Sequence, residues 1–520
     1  LDGIVTTGFS GLLTATVFLP AAGGLVILLL LRGDRNIRWF AALIGVADLA
    51  LSALVLLGFN SADGAARFQM VDRFNWITSQ TINSSYFLGV DGLSGPLVLL
   101  TGLLGLCAIL ASWHIATRVR EYFFWLLLLQ TAVMGVFTSL DLLLFFLFWE
   151  LELLPMYLLI ANWGTGRKEY SAMKFLIFTI LGSAAMLVAI VAVLISPDVG
   201  TLDMTRLLGP GNMLGSANVV LPLGLLFWLF FIAFAIKLPT WPLHTWLPDA
   251  HTDAPTAASV MLAGVMLKMG GYGLLRINVG MFPQQAHLFA WILVALGVIG
   301  VLYGGLVTLR QTDLKRLIAY SSVSHMGLVL VGIGSVGIVA GEVTSTGLKG
   351  AAMQLFTHGT ITGLLFLCVG LIYERTHTRY IPDLGGLANR MPLLTAAFLI
   401  AGFASLGLPG LSGFVSEILI FFGAFAAFPW LSALAVLGII LAAGYILWMI
   451  QLTLFGPRWQ QFDDLTDASF VEALPLVLMV IAIIGVGIYP SFLTDLFQAG
   501  LEPMVAVLND TITGQLAAGR

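Results

Sequence analysis

Leu225-Leu226-Phe227-Trp228-Leu229-Phe230-Phe231-Ile232-Ala233-Phe234-Ala235-Ile236-Lys237-Leu238-Pro239-Thr240-Trp241-Pro242 runs through twelve apolar residues, Leu225 to Ile236, into a lysine and then two prolines. A helix apolar on every side belongs in a protein core or a membrane. Lysine at mid-bilayer costs roughly 2.5 to 3.5 kcal/mol on insertion scales, so a cation in this setting is a functional candidate by default. Pro239 and Pro242 interrupt regular helical hydrogen bonding. Irregular backbone at membrane depth survives only where protein buries it or a wet cavity receives it. The stretch therefore predicts a broken membrane helix with a charge at the break.

The rest of the chain agrees. Of 520 residues, 59% are hydrophobic and 10% charged, against roughly 25% charged in ordinary soluble domains, which excludes a soluble fold. With 23 Lys+Arg, 27 Asp+Glu and a net charge of -4, the sequence has no basic footprint for nucleic acid. Cys107 and Cys368 lie far apart inside apolar runs, which speaks against a disulfide framework or a thiolate metal site. The first apolar run, Gly11 to Leu31, is too long for a signal-peptide core and has no basic region before it. It reads as a retained membrane helix.

About 20 apolar residues cross roughly 30 Å of hydrocarbon. Runs of that kind predict an all-α polytopic membrane protein of fourteen transmembrane helices, at 10–31, 39–58, 90–113, 121–139, 142–163, 171–195, 219–247, 253–278, 286–306, 314–334, 346–372, 392–424, 431–455 and 470–489. Lys and Arg gather in loops on the cytoplasm-like side. The odd-numbered connections hold Arg32, Arg35, Arg38, Arg118, Arg120, Arg167, Lys168, Lys174, Arg310, Lys315, Arg316, Arg375, Arg379, Arg390 and Arg458, whereas the opposite side holds Arg67, Arg73, Arg206, Arg276 and Arg520. Both termini are thus expected on the outer or lumenal side of an energy-coupling membrane. A bacterial cytoplasmic membrane fits best, and a thylakoid would show the same charge pattern.

Three cations, Lys237, Lys268 and Lys349, remain within or at the edge of apolar runs. Lys349 lies near a helix start, from which its ammonium reaches the interface. Glu150 and Glu152 are two residues apart, roughly 200° around a helix, so at most one easily faces a shared path. His325, ten residues past Lys315, sits roughly half-way through the bilayer, and His358 is similarly deep. Imidazole titrates near pH 6.5 and relays protons; with other ionisable groups at that depth, relay outranks a satisfied core histidine. It also outranks a haem held by two histidines, which would leave the lysines and glutamates unexplained. Asp48, in helix two, reads equally as a hydrogen-bonded structural residue or a working one. Glu417 follows Leu406-Gly407-Leu408-Pro409-Gly410-Leu411-Ser412-Gly413, a second break built from proline and glycine.

The two breaks fall in helices seven and twelve, and each contains a Leu-Pro pair, Leu238-Pro239 and Leu408-Pro409. Five is odd, so equivalent helices run in opposite directions, the pattern of inverted repeats in ion transporters. Helices four to eight and nine to thirteen would form the repeats. The chain then divides into 1–120 (helices one to three), 121–280, 281–458 and 459–520 (helix fourteen and a C-terminal tail). On this mapping Glu150 corresponds to His325 and Lys237 to Glu417. The sequence has no strand-following Gly-x-Gly-x-x-Gly, Walker loop or cysteine cluster, so neither a nucleotide nor an iron-sulfur cluster is expected in this chain.

Phe148-Trp149-Glu150-Leu151-Glu152-Leu153-Leu154-Pro155-Met156-Tyr157 and Pro242-Leu243-His244-Thr245-Trp246-Leu247-Pro248-Asp249-Ala250-His251 resemble the antiporter-like subunits of respiratory complex I. So do Ala254-Pro255-Thr256, Leu267-Lys268-Met269, Tyr320-Ser321-Ser322-Val323-Ser324-His325-Met326-Gly327 and Gly407 to Phe414, and the likeness runs through nearly the whole chain. Glu417 stands where relatives usually place lysine, which makes the chain most similar to the subunit M, or chain four, type. The resemblance implies a proton-translocating membrane subunit of NADH:quinone oxidoreductase without a redox centre of its own. NADH, FMN, iron-sulfur clusters and quinone would belong to partner chains, and its contacts would be neighbouring antiporter-like subunits and lipid. By resemblance, Glu150 and Lys237 form a coupled ion pair, Lys268 is the central relay with His251 and His325 nearby, and Glu417 gates the opposite side; His358 joins as a candidate relay by its depth. A multi-subunit Na+/H+ antiporter subunit, a membrane-bound hydrogenase subunit and a purely structural anchor are the rivals. Glu-Leu-Glu-Leu-Leu-Pro also resembles the photosynthetic relatives that take electrons from ferredoxin.

Overall fold

Apolar helices set the architecture of the computed structural model, which describes residues 10–62, 64–79, 83–208, 213–337, 342–457 and 459–518. Among the described residues, eleven helices are long and apolar enough to cross a membrane, and Gly95–Ala111, Leu223–Lys237, Pro392–Ser405 and Ser412–Ala427 are shorter apolar helices. The apolar segments of Thr256–Val279 and Thr346–Thr376 are wholly buried and form the centre of the bundle. Leu12–Leu29, Asp34–Leu57 and Phe470–Ile488 turn much of their surface outward, with Leu29, Leu57 and Phe470 exposed. Such exposed apolar faces suit lipid, where burial in protein is not needed.

The predicted breaks are real interruptions. Run 219–247 divides into Leu223–Lys237 and Trp246–Asp253, and run 392–424 into Pro392–Ser405 and Ser412–Ala427. At the first break, the carbonyls that a helix end leaves over find local donors. Leu238 N–H donates to Phe234 O at 2.7 Å, Thr240 N–H to Ala235 O at 2.9 Å, and the Trp246 indole to Ile236 O at 2.9 Å.

The structure departs from the sequence reading in three places. First, the all-α expectation omits an antiparallel pair of strands, Gln69–Thr78 and Asn83–Val90. The second strand is buried almost throughout, so it lacks the alternation that reveals a half-exposed strand. Phe74 stacks on its cross-strand partner Tyr86 at 4.4 Å. Asp141 accepts from Ser84 Oγ at 2.9 Å and caps the helix Leu142–Leu151 through Leu143 N–H at 3.0 Å, tying strand to bundle; burial pushes its carboxyl up.

Second, the expected C-terminal tail is a helix, Ser491–Ala518. Lys349 does not simply reach for solvent; its ammonium donates to Gln498 Oε1 on that helix at 3.0 Å.

Third, three cations assigned to loops turn inward. Lys315 is buried and donates to Ala254 O at 2.6 Å, and Lys174 reaches Asp249 at 2.7 Å. Arg276 is wholly buried, bound to Asp91 through both terminal nitrogens at 2.6 and 2.5 Å. Each stands within two turns of a helix end, where a long side chain can fold back onto a waiting oxygen, and position in the sequence does not reveal the direction. Arg458 and Arg520 lie outside the described residues.

Candidate functional site

Lys237 is the last residue of its helix, and its ammonium is buried. It contacts Glu152 Oε1 directly and lies 5.6 Å from the Trp149 ring and 5.2 Å from the Phe175 ring. Two aromatic faces and one carboxylate replace water around the charge. Glu152 occupies the junction between Leu142–Leu151 and Leu153–Trp163, where Pro155 removes the N–H that would bond Leu151 O. Its second oxygen, Oε2, is buried without a hydrogen-bond partner among the described residues.

The expected partner of Lys237, Glu150, is not the carboxylate in contact. It lies on another side of the same helical segment, partly buried, with Oε1 enclosed and without a hydrogen-bond partner among the described residues. The two-residue spacing lets only one of the two carboxylates face Lys237, and the structure turns Glu152 toward it.

The second cluster starts at Lys268, on the central helix. The turns before and after it, Leu262–Met266 and Leu274–Val279, are π-helical, the wider winding often found at functional positions. Lys268 Nζ contacts the Ala263 carbonyl and His358 Nδ1, the latter at 2.8 Å. The His358 and His325 rings are 5.5 Å apart, and His325 Nδ1 lies 3.6 Å from Glu417 Oε1. Lys268, His358, His325 and Glu417 thus form one buried row across four helices. Gly270 joins the row to the first break: a Cβ there would lie 2.5 Å from Leu238 N, next to Lys237.

The second break shapes the far end. Gly407, at φ 73°, is left-handed, which favours glycine. A Cβ on it would sit 2.5 Å from Glu417 Oε2. Ser405 Oγ, on the rim of the same break, meets His325 Nε2 at 3.2 Å. The glycine that bends the chain also leaves room for the carboxylate.

The family described as NADH:quinone oxidoreductase/Mrp antiporter, TM, matches residues 139–442, and the one described as NADH-ubiquinone oxidoreductase chain 4, amino terminus, matches residues 66–136. The NADH-quinone oxidoreductase subunit M of Rhodobacter capsulatus is 42% identical over 515 residues, 95% of this chain and 96% of the relative. The chain is a member of the subunit M family of complex I. Within the same set, the NAD(P)H-quinone oxidoreductase chain 4 1 of Synechococcus elongatus is 41% identical, covering 96% of this chain and 92% of its own length. A chain of the respiratory complex I from Thermus thermophilus with bound NADH superposes with a TM-score of 0.82 at 30% identity, over 96% of this chain and 99% of that one.

For a member of the subunit M family, several placements stand out. His251 is wholly buried and stacks on Phe366 with ring centroids 4.6 Å apart, and neither ring nitrogen has a hydrogen-bond partner among the described residues. It makes no hydrogen bond to the row, yet it lies close enough to Lys268 and His358 to interact with both charges through space. Asp48 is buried against Gln130, whose amide donates to it at 2.6 Å. Beside the row, Thr357 and Ser416 hydroxyls lie 3.0 Å apart and Ser416 also contacts Gln354 Oε1. Sequence reasoning passed over these three, since Ser, Thr and Gln in apolar helices usually bond their own backbone.

Proposed function

We propose that this chain carries protons across the membrane within a quinone-reducing complex, using Lys237 with Glu152 as a separable ion pair and Lys268, His358, His325 and Glu417 as the transfer row. The redox chemistry belongs to partner chains. The observation that carries the proposal is the succession of close buried side chains, Lys268 hydrogen-bonded to His358, the His358 and His325 rings 5.5 Å apart, and His325 3.6 Å from Glu417.

Glu152 stabilises the ammonium form of Lys237 while the two touch. Unit charges about 4 Å apart attract by about 4 kcal/mol at an effective dielectric of 20, which closing the pair supplies and opening it withdraws. Opening the pair removes that stabilisation and sends a proton toward Lys268; closing it draws the next one in. Imidazoles at His358 and His325 take and give a proton on opposite nitrogens, and Glu417 passes it to the far side.

The same reading includes fourteen crossings, inverted repeats at helices four to eight and nine to thirteen, and both termini on the outer face. The two broken helices, each beside a charged row residue, support the repeats. A bacterial energy-coupling membrane belongs to the same reading; NADH as donor is supported by the Rhodobacter relative's name, and the Synechococcus relative, named for NAD(P)H, keeps a different donor as the second reading.

The test is proton uptake by proteoliposomes holding the whole complex. Lys268→Ala and His358→Phe are expected to reduce pumping at least tenfold while the complex assembles. Parental pumping in both variants would overturn the assignment.

A further inference from the structure

Away from the row, three side chains from three helix ends converge. His114 follows the helix Gly95–Ala111, Glu374 stands near the end of Thr346–Thr376, and Glu472 lies in the first turn of Phe470–Ile488. One ligand-type atom from each lies within 4.8 Å of the others. His114 Nε2 is 2.9 Å from Glu472 Oε1 and 3.7 Å from Glu374 Oε2.

The two oxygens of Glu472 have different duties. Oε2 accepts from Arg375 at 2.7 Å and from Ser469 N–H at 2.7 Å. Oε1 is left facing His114. Outer partners that fix one carboxylate oxygen and present the other are the usual support of a metal ligand. Glu374 has no hydrogen-bond partner among the described residues, and its 3.7 Å separation from His114 exceeds a hydrogen bond. Arg375 is hydrogen-bonded to Glu472 alone and meets Glu374 only through space.

We propose that His114, Glu374 and Glu472 form a binding site for a divalent transition-metal ion of the Zn2+ class. One imidazole nitrogen and two carboxylate oxygens suit such an ion, with water completing the shell. His114 is 55% exposed and Glu374 32%, so the ion reaches the site from solution. A cavity beneath is lined by Thr256, Leu367 and Gly370. Thr256 begins the helix carrying Lys268, and Gly370 belongs to the helix carrying His358. The bound ion therefore pins three helix ends around elements that hold the row, and it slows turnover.

Zn2+ itself is the probe, in equilibrium dialysis of the purified, metal-stripped whole complex, with quinone reduction followed in parallel. The parent is expected to bind one more Zn2+ per complex than His114→Ala or Glu374→Gln, or to bind that ion at least tenfold more tightly. Both variants keep parental quinone reduction without Zn2+ and lose at least tenfold in sensitivity to it. Glu374→Gln removes no hydrogen bond, so it serves if His114→Ala fails to assemble. Equal Zn2+ stoichiometry and affinity in parent and variant would overturn the proposal, as would X-ray absorption showing sulfur ligands at the ion that the variants lose.

Discussion

Arg276 with Asp91 and Lys237 with Glu152 are both buried ion pairs, and they are built for opposite purposes. Arg276 and Asp91 meet through two parallel hydrogen bonds at 2.6 and 2.5 Å. Asp91 Oδ1 also accepts from Leu93 and Ser94 N–H, Tyr272 OH accepts from Arg276 Nε at 3.2 Å, and Arg67 stands 4.0 Å away. Lys237 and Glu152 instead share one contact between a helix end and a helix junction, with Glu152 Oε2 unpartnered. A guanidinium holds its proton in any protein and binds carboxylate as a fork, whereas an ammonium is a point charge that gives up its proton when its surroundings change. The first pair is a lock; the second has the parts of a switch.

The lock yields the largest expected effect. Asp91→Asn leaves a buried guanidinium unbalanced, at a cost of about 3 to 5 kcal/mol, and the chain is expected to drop out of the detergent-solubilised complex. Arg276→Lys keeps the charge but loses the fork, and retention should fall between the two. Burial pushes the Asp91 carboxyl up, but Arg276 and Arg67 outweigh it and hold it below the usual range; Arg67, buried beside Arg276, is itself lowered to about 10. A carboxyl with a depressed folded value contributes stability that is fully present above its unfolded value near 4 and fades as pH falls through its own lower value. Retention of the chain should therefore be flat from pH 7 to about pH 5 and decline only in stronger acid. A decline already at pH 6 would mean that Asp91 is not the locked group.

The switch is tested by function, not assembly. Lys237→Ala should reduce proton uptake at least tenfold with the chain retained, since Glu152 can then be neutral. Glu152→Gln and Glu150→Gln separate contact from resemblance: the first is expected to match Lys237→Ala, and the second to retain more pumping. The reverse order would show that Glu150 is the working carboxylate and that the pair seen here is one of two arrangements.

Most of the helical frame was legible because a 20-residue apolar run has few readings, and both breaks announce themselves through proline and glycine. Lys268, His325, His358 and Glu417 were legible for the same reason: a charge in such a run is conspicuous. Orientation was not. Glu150 and Glu152 are chemically alike and two residues apart, so only the path of the chain near Pro155 decides which one meets Lys237. Arg276 looked like a loop cation because its partner, Asp91, is 185 residues away in sequence. The second strand was hidden by its burial, and the place of His251 beside Lys268 and His358, reached through space without a hydrogen bond, came from resemblance alone.

Gly407 carries a smaller prediction. Gly407→Ala combines a strained φ with a Cβ 2.5 Å from Glu417 Oε2, so the carboxylate must move from His325. The backbone cost is about 1 kcal/mol, too little to prevent assembly, yet proton uptake should fall severalfold while quinone reduction without a gradient falls less. An unchanged ratio of the two would uncouple the position of Glu417 from the relay.

Lys349 marks the lower end of the scale. It is a partly exposed cation whose hydrogen-bond partner among the described residues is a neutral amide, Gln498 Oε1 at 3.0 Å, on the C-terminal helix. No carboxylate holds it as Asp91 holds Arg276, and no aromatic pocket strips its water as Trp149 and Phe175 strip that of Lys237. A charge that keeps part of its hydration contributes little to either stability or switching, on the order of 0 to 1 kcal/mol. Lys349→Met should leave retention and proton uptake within twofold of parent, because Gln498 can turn back to water. A loss of uptake with retention intact would break the division into locks and switches, since a half-hydrated lysine without a carboxylate would then be moving protons as well.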